Sequence, residues 1–396
     1  MEPELLSWLL IGLPVAFALG WLGSRLDLRQ LKRERDDSPR TYFKGLNLLL
    51  NEQQDQAIDA FIEAMQSDPD TTELHFALGN LFRRRGEIDR AVRVHEHLAG
   101  RGDLSPSVRM RAQRALAQDF MKAGLFDRAE AAWSALAGST YDAEAQLALL
   151  SLYERSRGWQ QAAQVARRLE GRGQGSFAGR IAHYECERAE ELDAAGQPDE
   201  AAAALARAQA AAPETPRPWL LAGQRLLRQG DPAGAVRAWD ALRERHGAAF
   251  VLVAGDYAAC ARAIGHTDAA HKVLLDALAL QPAVELLQAL EVLDAERPQA
   301  ERIPRILAHL RAHPSLSAAQ LLLPFATAIP ATGPSGAAPA LDEAARAALH
   351  DAVARAARPL QRYRCGSCGF EAQRHFWQCP GCLAWDSYPP QRNDLS

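Results

Sequence analysis

Residues 217–246, RPWLLAGQRLLRQGDPAGAVRAWDALRERH, decide the fold of this chain because their spacing recurs along it. Gly230 is followed by four residues and then by Ala235. The small residue Gly223 stands twelve positions before that alanine, and the large residue Trp239 stands four positions after it. The spacing predicts two helices joined at Gly230, because glycine readily takes the left-handed conformation that ends a helix.

The Gly-x4-Ala spacing recurs between residues 41 and 283, with a first copy at Glu52 that lacks the glycine. The small residue and the alanine let the two helices approach closely, and the large residue fills the space toward the next unit. Arg167 is the exception at that large position. One hairpin cannot bury its own apolar face, so the hairpins are expected to stack into a solenoid. The alanines lie 34 to 38 residues apart: Ala57, Ala91, Ala129, Ala163, Ala201, Ala235 and Ala270.

The irregular parts of the pattern give further expectations. Both 38-residue intervals contain Gly-Arg-Gly, at residues 100–102 and 171–173, so their extra residues are expected in loops. After Pro282 the helical pattern continues with less order, and residues 284–358 are interpreted as further helical hairpins and a cap. A flexible break rich in proline and glycine is expected at residues 330–340.

Composition limits the classes of protein that fit. With 396 residues and 48% hydrophobic side chains, the chain has ample material for a core and is not disordered. A net charge of −4 argues against a dedicated nucleic-acid binder. Phosphate-binding, metalloprotease and nucleophile-elbow motifs are missing from the sequence, and a repeat solenoid offers no preformed set of catalytic groups. The sequence therefore predicts a protein that is not an enzyme and has no catalytic residues.

The first residues have the pattern of a membrane anchor. Residues 5–23, LLSWLLIGLPVAFALGWLG, carry no charge and would reach about 29 Å as a helix, close to the thickness of a bilayer core. Basic side chains follow this stretch rather than precede it, which disfavours a cleaved secretory signal and places the rest of the chain in the cytoplasm. We expect a single-pass anchor at residues 1–24 and a basic juxtamembrane linker at residues 25–40.

Four cysteines near the end of the chain have the spacing of a metal site. Cys365 and Cys368 form one Cys-x2-Cys pair, Cys379 and Cys382 form a second, and ten residues separate the pairs. Two such turns can supply a tetrahedral set of thiolates, which favours zinc, although iron also fits four sulfurs. His375 lies between the pairs and is interpreted as a surface or packing residue. Four aromatic residues are expected to form a small apolar layer around the two turns: Phe370, Phe376, Trp377 and Trp385.

Two parts of the chain resemble known domain families. The repeat length, the small-residue positions and the closing prolines resemble the tetratricopeptide repeat, which implies an all-α superhelical solenoid of about seven repeats over residues 41–283 and a surface that binds proteins. Residues 359–396, with Cys-x-x-Cys-Gly and Cys-Pro-x-Cys, resemble a rubredoxin-like zinc ribbon. Leu383 stands where rubredoxins have glycine, and the stretch between the cysteine pairs is short. Both departures weaken the electron-transfer interpretation.

The order of anchor, repeats and metal-binding tail is similar to that of the lipopolysaccharide assembly protein B family of Gram-negative bacteria. The resemblance implies an inner-membrane adaptor that presents the lipid A pathway deacetylase to the membrane-anchored protease FtsH. It also implies an inner-membrane regulator that senses lipopolysaccharide as a further partner. A zinc ribbon that binds nucleic acid is a weaker alternative, because the tail has few lysines and arginines to neutralise phosphates, so no nucleic-acid partner is expected. Two alternative functions stay open: a general membrane-tethered scaffold for lipopolysaccharide biosynthesis and transport proteins, and an iron electron-transfer protein. The oligomeric state also stays open.

Overall fold

The computed structural model describes residues 44, 47–48, 53–67, 71–325, 343–358 and 360–392. The chain divides into two compact units, Met1–Gly158 and Trp159–Ser396. The expected anchor at residues 5–23, the linker at 25–40 and the break at 330–340 all lie outside the described residues. Within the described part of the chain, no helix is both long enough and apolar enough to cross a membrane.

The described part of the first unit consists of helices, and its core is built from the residues that consecutive helices share. Phe61, Leu74 and Ala91 lie in one buried cluster, and Phe76, Leu98 and Ala112 lie in the next. The helices are α1 (Gln54–Ser67), α2 (Thr72–Arg85), α3 (Ile88–Gly100), α4 (Pro106–Ala123), α5 (Phe126–Ser134) and α6 (Asp142–Arg155).

The second unit continues the helical pattern and ends in a two-stranded ribbon. Its helices are α7 (Trp159–Gly171), α8 (Ala178–Ala194), α9 (Pro198–Ala211), α10 (Arg217–Arg228), α11 (Pro232–Arg245), α12 (Ala254–Ala263), α13 (Thr267–Leu280), α14 (Val284–Leu293), α15 (Gln299–Ala312), α16 (Leu316–Leu322) and α17 (Glu343–Ala357). Two 3₁₀ helices lie at Gly247–Val253 and Leu323–Phe325, and the strands are β1 (Tyr363–Arg364) and β2 (Glu371–Ala372). The largest buried cluster of this unit surrounds Trp239, Phe250 and Tyr257.

In most hairpins a glycine ends the first of the two helices, as the spacing predicts. Five of the ladder glycines have left-handed φ angles between 74° and 80°: Gly86, Gly124, Gly196, Gly230 and Gly265. The prediction is wrong for Gly158, because Arg157 takes the left-handed conformation instead, with φ at 58°. The amide of Gly158 still donates to the Tyr153 carbonyl at 2.8 Å, so α6 closes in the same way one residue earlier.

Close approach within a hairpin explains the small residues of the ladder. A Cβ atom placed on Gly223 would collide with the indole of Trp239, and one placed on Gly79 would collide with the imidazole of His95. The large residue therefore rests on the small residue of its own hairpin. His95 also hydrogen-bonds Asp119 in α4, and both side chains are fully buried. The large residue thus contacts the following helix as well, as the sequence analysis expected.

The extra residues of the 38-residue intervals lie in helices, which corrects the expectation of longer loops. Helix α4 has 18 residues and α8 has 17, whereas α2 and α6 have 14 each. The added turn of α4 begins at Ser105, whose hydroxyl accepts from the amide of Val108. Val108 then packs against the cluster around Phe76 and Leu98, so burial of apolar surface accounts for the longer helix.

Candidate metal centre and its seat on the repeats

The ribbon consists of two cysteine turns held together by short antiparallel pairings. Strands β1 and β2 pair Tyr363 with Ala372 and Arg364 with Glu371. A single bridge joins Gln378 to Trp385 around the second turn. Both pairings close loops of only a few residues, so each pair of cysteines is held at the tip of a tight hairpin.

The two cysteine turns have the same backbone hydrogen bonds. The amide of Cys365 donates to the Phe370 carbonyl, and the amide of Gly369 donates back to the Cys365 carbonyl. In the second turn, Cys379 donates to Ala384 and Leu383 donates to Cys379, with the same spacing. Gly369 and Leu383 are therefore equivalent positions, and both are left-handed, with φ angles of 77° and 60°.

The structure brings the four cysteine sulfurs together. All four Sγ atoms lie within 4.8 Å of one another, and no other such cluster occurs in the described part of the chain. The Sγ atoms of Cys365 and Cys382 are 3.8 Å apart, and those of Cys368 and Cys379 are 3.7 Å apart. Four sulfurs placed tetrahedrally at about 2.3 Å from one ion would be ~3.8 Å from each other. The cluster therefore fits a metal ion at its centre.

Donors around Cys365 and Cys379 favour the thiolate form of these two residues, which is the form that binds metal. The pKa of Cys368 is raised, since the backbone hydrogen bond from Phe370 is outweighed by burial and by the neighbouring cysteine sulfurs. Hydrogen bonding by Ser387 is the main contribution that lowers the pKa of Cys365 to about 6. Backbone amides of Ser367 and Cys368 also donate to the Cys365 sulfur. The amides of Gly381 and Cys382 donate to the Cys379 sulfur in the same way. A second set of donors of this kind orients metal ligands and supports their negative charge.

His375 lies outside the sulfur cluster, in agreement with its interpretation as a packing residue. Its Nε2 is 3.3 Å from the carbonyl oxygen of Tyr388, and its ring meets Trp377 edge-on at 4.7 Å between centroids. Burial lowers the pKa of His375 below its ordinary value. The imidazole is therefore neutral near pH 7 and serves to join the aromatic residues of the ribbon to each other.

The ribbon sits on the repeat helices of its own unit through a buried histidine. His183 of α8 is fully buried, and its Nε2 lies 2.8 Å from the Oδ2 atom of Asp386. The indole of Trp385 stacks on the His183 ring at 4.6 Å, with 17° between the planes. Trp385 also meets Trp159 of α7 and Tyr184 of α8 edge-on at 6.3 and 6.0 Å. One aromatic residue of the ribbon thus contacts two successive repeat helices.

A second aromatic residue of the ribbon lies beside a buried cation. Trp377 is 6.0 Å from the His183 ring, and the Arg217 guanidinium lies 6.0 Å from its ring centroid. Arg217 is 4% exposed and pairs with Glu187 at 2.7 Å and with Glu190 at 2.9 Å. These carboxylates orient the guanidinium, so Trp377 packs against a fixed cation on α10.

Two further contacts attach the ribbon to later helices of the unit. Leu252 from the first 3₁₀ helix packs into the ribbon cluster of Tyr363, Cys365, Cys379 and Tyr388. At the end of the described chain, Arg392 lies 3.6 Å from Glu285 of α14 and 5.5 Å from the Tyr363 ring centroid. The ribbon therefore contacts helices from α7 to α14.

The expected aromatic layer around the cysteine turns is only partly present. Phe376 packs with the ribbon cluster and Phe370 lies against Gly381 of the second cysteine turn, whereas Trp377 and Trp385 face the repeat helices. His183, Arg217 and Leu252 carry no recognisable signal in the sequence, because nothing in their local spacing distinguishes them from other helical residues. The two tryptophans of the tail did indicate that the ribbon packs against another part of the chain, since a domain of under 40 residues has little core in which to bury two indoles.

Cys186 and Cys260 are buried core residues. Both are free thiols inside helices of the second unit. Burial raises the pKa of Cys186 to about 12, so it stays a neutral thiol at physiological pH.

Comparisons with known proteins identify the same two domain types. Residues 363–389 match the family described as rubredoxin metal binding domain, and residues 44–96, 114–177 and 186–240 match the tetratricopeptide repeat. Lipopolysaccharide assembly protein B of Escherichia coli (strain K12) is 31% identical over 391 residues, covering 98% of this chain and 99% of its own. The protein of the same name from Haemophilus influenzae is 27% identical over 408 residues, with the same two coverages. Among solved structures, the MamA protein is 17% identical, with a TM-score of 0.33, and the match covers 45% of this chain and 92% of MamA.

Proposed function

Because the chain belongs to the lipopolysaccharide assembly protein B family, we propose that it is a non-catalytic adaptor in lipopolysaccharide assembly. The observation that carries the proposal is the 31% identity over 98% of the chain, with tetratricopeptide repeats and a rubredoxin-type domain in the same sequence. Tetratricopeptide hairpins stack to expose extended surfaces, which suit the binding of protein partners.

In its finer form, the proposal is that the repeats present the lipid A pathway deacetylase to the membrane-anchored protease FtsH. An inner-membrane regulator that senses lipopolysaccharide would control this presentation. The mechanism is one of effective concentration: an adaptor tethered in the membrane of the protease holds the client close to it. Support comes from the uncharged stretch at residues 5–23 and the basic residues that follow it, which favour a single-pass protein with its bulk in the cytoplasm.

We further propose the domain division that the sequence indicates. It comprises an anchor at 1–24, a linker at 25–40, repeats at 41–283, further hairpins and a cap at 284–358, and the metal-binding ribbon at 359–396. The ribbon would position partners rather than catalyse a reaction, because its aromatic residues are committed to contacts with the repeats.

Cys365, Cys368, Cys379 and Cys382 are proposed as the ligands of one structural zinc ion. Support comes from the mutual distances of the sulfurs and from the four thiolates, which leave no open coordination position for chemistry. Bound zinc would supply folding free energy to a domain whose own core is small. The ribbon residues then hold Asp386 and Trp385 against His183.

Metal analysis of the purified chain tests this part of the proposal. Cys365→Ser and Cys382→Ser are expected to reduce bound zinc from one per chain to near zero and to expose Trp377 and Trp385 to a fluorescence quencher. Cys260→Ala, which removes a thiol outside the cluster, is expected to retain the metal. A red protein that contains iron would overturn the zinc assignment in favour of electron transfer.

Client turnover and crosslinking in native membranes test the adaptor role. We expect deletion of the gene to lengthen the half-life of the deacetylase, and crosslinking mass spectrometry to join the repeats to both the deacetylase and FtsH. A variant with residues 1–24 replaced by an unrelated spanning helix is expected to keep part of the activity, because tethering is its task. Unchanged client turnover after deletion would contradict the presentation mechanism and favour a general scaffold.

A further inference from the structure

A cavity of 570 Å³ lies at the seam between the ribbon and the repeats of the second unit. Its volume is within the range of ligand pockets, roughly 300–1,000 Å³. One wall comes from the turn that contains Glu214 and from residues 245–249, which end α11 and begin the first 3₁₀ helix. The other wall comes from the ribbon, through His375, Trp377 and Asp386. The cavity therefore exists only when the ribbon is docked.

Two carboxylates and one guanidinium, those of Glu214, Asp386 and Arg245, line this cavity. Glu214 is exposed, and no hydrogen bond or ion pair involves it within the described residues. Asp386 uses Oδ2 to accept from His183 and remains 47% exposed at its side chain. A carboxylate has about four acceptor positions, so both groups retain most of their capacity. Two acids and one arginine give the lining a net charge of −1.

A histidine of the ribbon adds a further acceptor to the cavity. The Nε2 atom of His375 lies 3.3 Å from the Tyr388 carbonyl oxygen, and that of His246 lies 3.0 Å from the Pro213 carbonyl oxygen. A carbonyl oxygen can only accept, so both rings donate through Nε2. Burial lowers the pKa of His375 and keeps its ring neutral, so its Nδ1 atom carries a lone pair and is an acceptor.

Apolar surface lines the rest of the cavity. Trp377 offers part of its indole face, and Leu252, Ala249 and Pro216 contribute aliphatic surface. A long aliphatic stem fits such surface while its charged head group reaches acceptors at the rim. The basic residue of the lining, Arg245, is stacked on Trp219 with its guanidinium 4.6 Å from the ring centroid. That contact holds the guanidinium against a second indole and leaves its positive charge in place.

We propose that this cavity binds an arginine or lysine side chain from an extended segment of a partner polypeptide. The aliphatic stem would lie along Leu252 and Trp377, and the cationic head group would bind Glu214 and Asp386. The inference rests on the proposed function only in taking a protein as the partner. Because the ribbon forms one wall, occupancy would also stabilise ribbon docking by mass action.

Fluorescence anisotropy with short labelled peptides tests the site on the purified full chain. The probe is an end-blocked pentapeptide, Ala-Leu-Arg-Leu-Ala, and its partner carries citrulline in place of arginine, which keeps the shape and removes the charge. We expect the arginine peptide to bind at least tenfold more tightly than the citrulline peptide, because citrulline keeps N–H donors but loses the charge that strengthens their hydrogen bonds to the two carboxylates. Equal binding of the two peptides, or no binding of either, would overturn the proposal.

Matched variants locate the binding. Glu214→Gln is expected to weaken the arginine peptide about tenfold, whereas Glu200→Gln, at an exposed acid of the same unit outside the cavity, should leave binding unchanged. Ala248→Trp is expected to abolish binding by filling the cavity mouth, and Ala203→Trp on an exposed face of α9 should not. A Glu214→Gln variant that binds as tightly as the parent would exclude this cavity.

Two further outcomes separate the sources of the cation and the two proposals. Agmatine, which is arginine without its carboxyl group, should bind much more weakly than the peptide; equally tight binding would point to a free organic cation and overturn the polypeptide assignment. Failure of peptide binding with normal client turnover would reject the cavity and leave the adaptor role intact. Peptide binding together with unaltered client turnover after deletion of the gene would reject the adaptor role and leave the cavity proposal intact.

Discussion

The Nη2 atom of Arg167 lies 2.7 Å from the Oε1 atom of Glu185, and Glu185 is fully buried. Arg167 occupies the ladder position at which other copies carry a large residue such as Trp133 or Trp239. Arg188 and Arg207 reach the same carboxylate at 3.1 Å. A buried ionic contact between α7 and α8 has therefore replaced the apolar contact that the repeat pattern requires.

Removal of this carboxylate is expected to destabilise the second unit. Glu185→Ala leaves three guanidinium groups without their shared acceptor, and we expect a loss of about 2 kcal/mol, moderated because the arginines are 24–48% exposed. The double variant Arg167→Leu with Glu185→Leu restores an apolar contact. Its loss of stability should be at least ~1 kcal/mol smaller than the sum of the losses measured for Arg167→Leu and Glu185→Leu separately. Urea unfolding followed by tryptophan fluorescence measures both.

The exposed ion pair of Arg111 and Glu73 in the first unit provides a control for the Arg167 and Glu185 double-mutant cycle. Its side chains are 40% and 56% exposed, and Glu73→Ala should change stability by less than ~0.5 kcal/mol. Additivity of the Arg167 and Glu185 substitutions would show that the two side chains are not coupled.

Docking of the ribbon is expected to weaken in mild acid. Burial lowers the pKa of His183 below its ordinary value of 6.5, so an undocked or unfolded His183 binds a proton more readily than the docked one. The stability that neutral His183 contributes is therefore complete above about pH 6.5 and is lost as the pH falls through that value toward the lower folded pKa. We expect the thermal midpoint of the second unit to fall between pH 7.5 and pH 5.5.

Substitution of His183 isolates its share of that acid sensitivity. His183→Gln keeps a donor for Asp386 and cannot be protonated, so its thermal midpoint should fall less over the same pH range. His375 and His309 also have pKa values lowered by burial, and they should account for the remaining fall. His266→Gln, at an exposed histidine of the same unit, should behave as the parent does. An identical pH response in His183→Gln would rule out this origin.

The equivalent positions of the two cysteine turns should respond to substitution with opposite signs. Leu383 is left-handed and half exposed, and glycine removes the backbone strain at the cost of chain entropy, so Leu383→Gly should stabilise the ribbon by about 0.5 kcal/mol. Gly369→Ala introduces that strain and should destabilise it by about 1 kcal/mol. The chelator concentration that removes half the metal should rise for the first and fall for the second.

Two glycines in helices of the second unit should also differ in sign. A Cβ on Gly223 collides with Trp239, whose Nε1 donates to the Leu220 carbonyl at 3.2 Å, so Gly223→Ala should cost about 3 kcal/mol. Gly255 is exposed in α12 with open space around it, and Gly255→Ala should stabilise by roughly 0.5–1 kcal/mol. Denaturant unfolding of both variants compares them directly, and a neutral Gly223→Ala would mean that the indole can move aside.

The parts of the fold that depend on local spacing were predictable from the sequence. The Gly-x4-Ala ladder identified the hairpins because helix ends and close helix contacts depend on residues within one repeat. It misplaced the extra residues of α4, because the length of that helix depends on burial of Val108 against the preceding hairpin. The left-handed Arg157 was equally invisible, since its conformation follows from how α6 ends rather than from residue type.

In the candidate metal site, too, the features set by local spacing were predictable and those set by long-range contacts were not. The cysteine spacing indicated four sulfurs close together, which is a local property of two tight turns. The seat of the ribbon was not predictable, because His183 and Asp386 are 203 positions apart and neither belongs to a motif. Trp377 and Trp385 were assigned to the wrong neighbours for the same reason: an indole next to a cysteine turn can pack inward or outward, and only the tertiary contacts decide.

Attachment of the ribbon at both Trp159 and Glu285 changes how the second unit should come apart. A stack of hairpins in which each contacts only its neighbours can fray from either end, one repeat at a time. Here a single small domain contacts both α7, through Trp159, and α14, through Glu285, which belong to hairpins far apart in the sequence. When metal holds the ribbon folded, we expect the hairpins from α7 to α14 to unfold in one cooperative transition. Metal binding by the four cysteines would then determine how cooperatively the neighbouring repeat helices unfold.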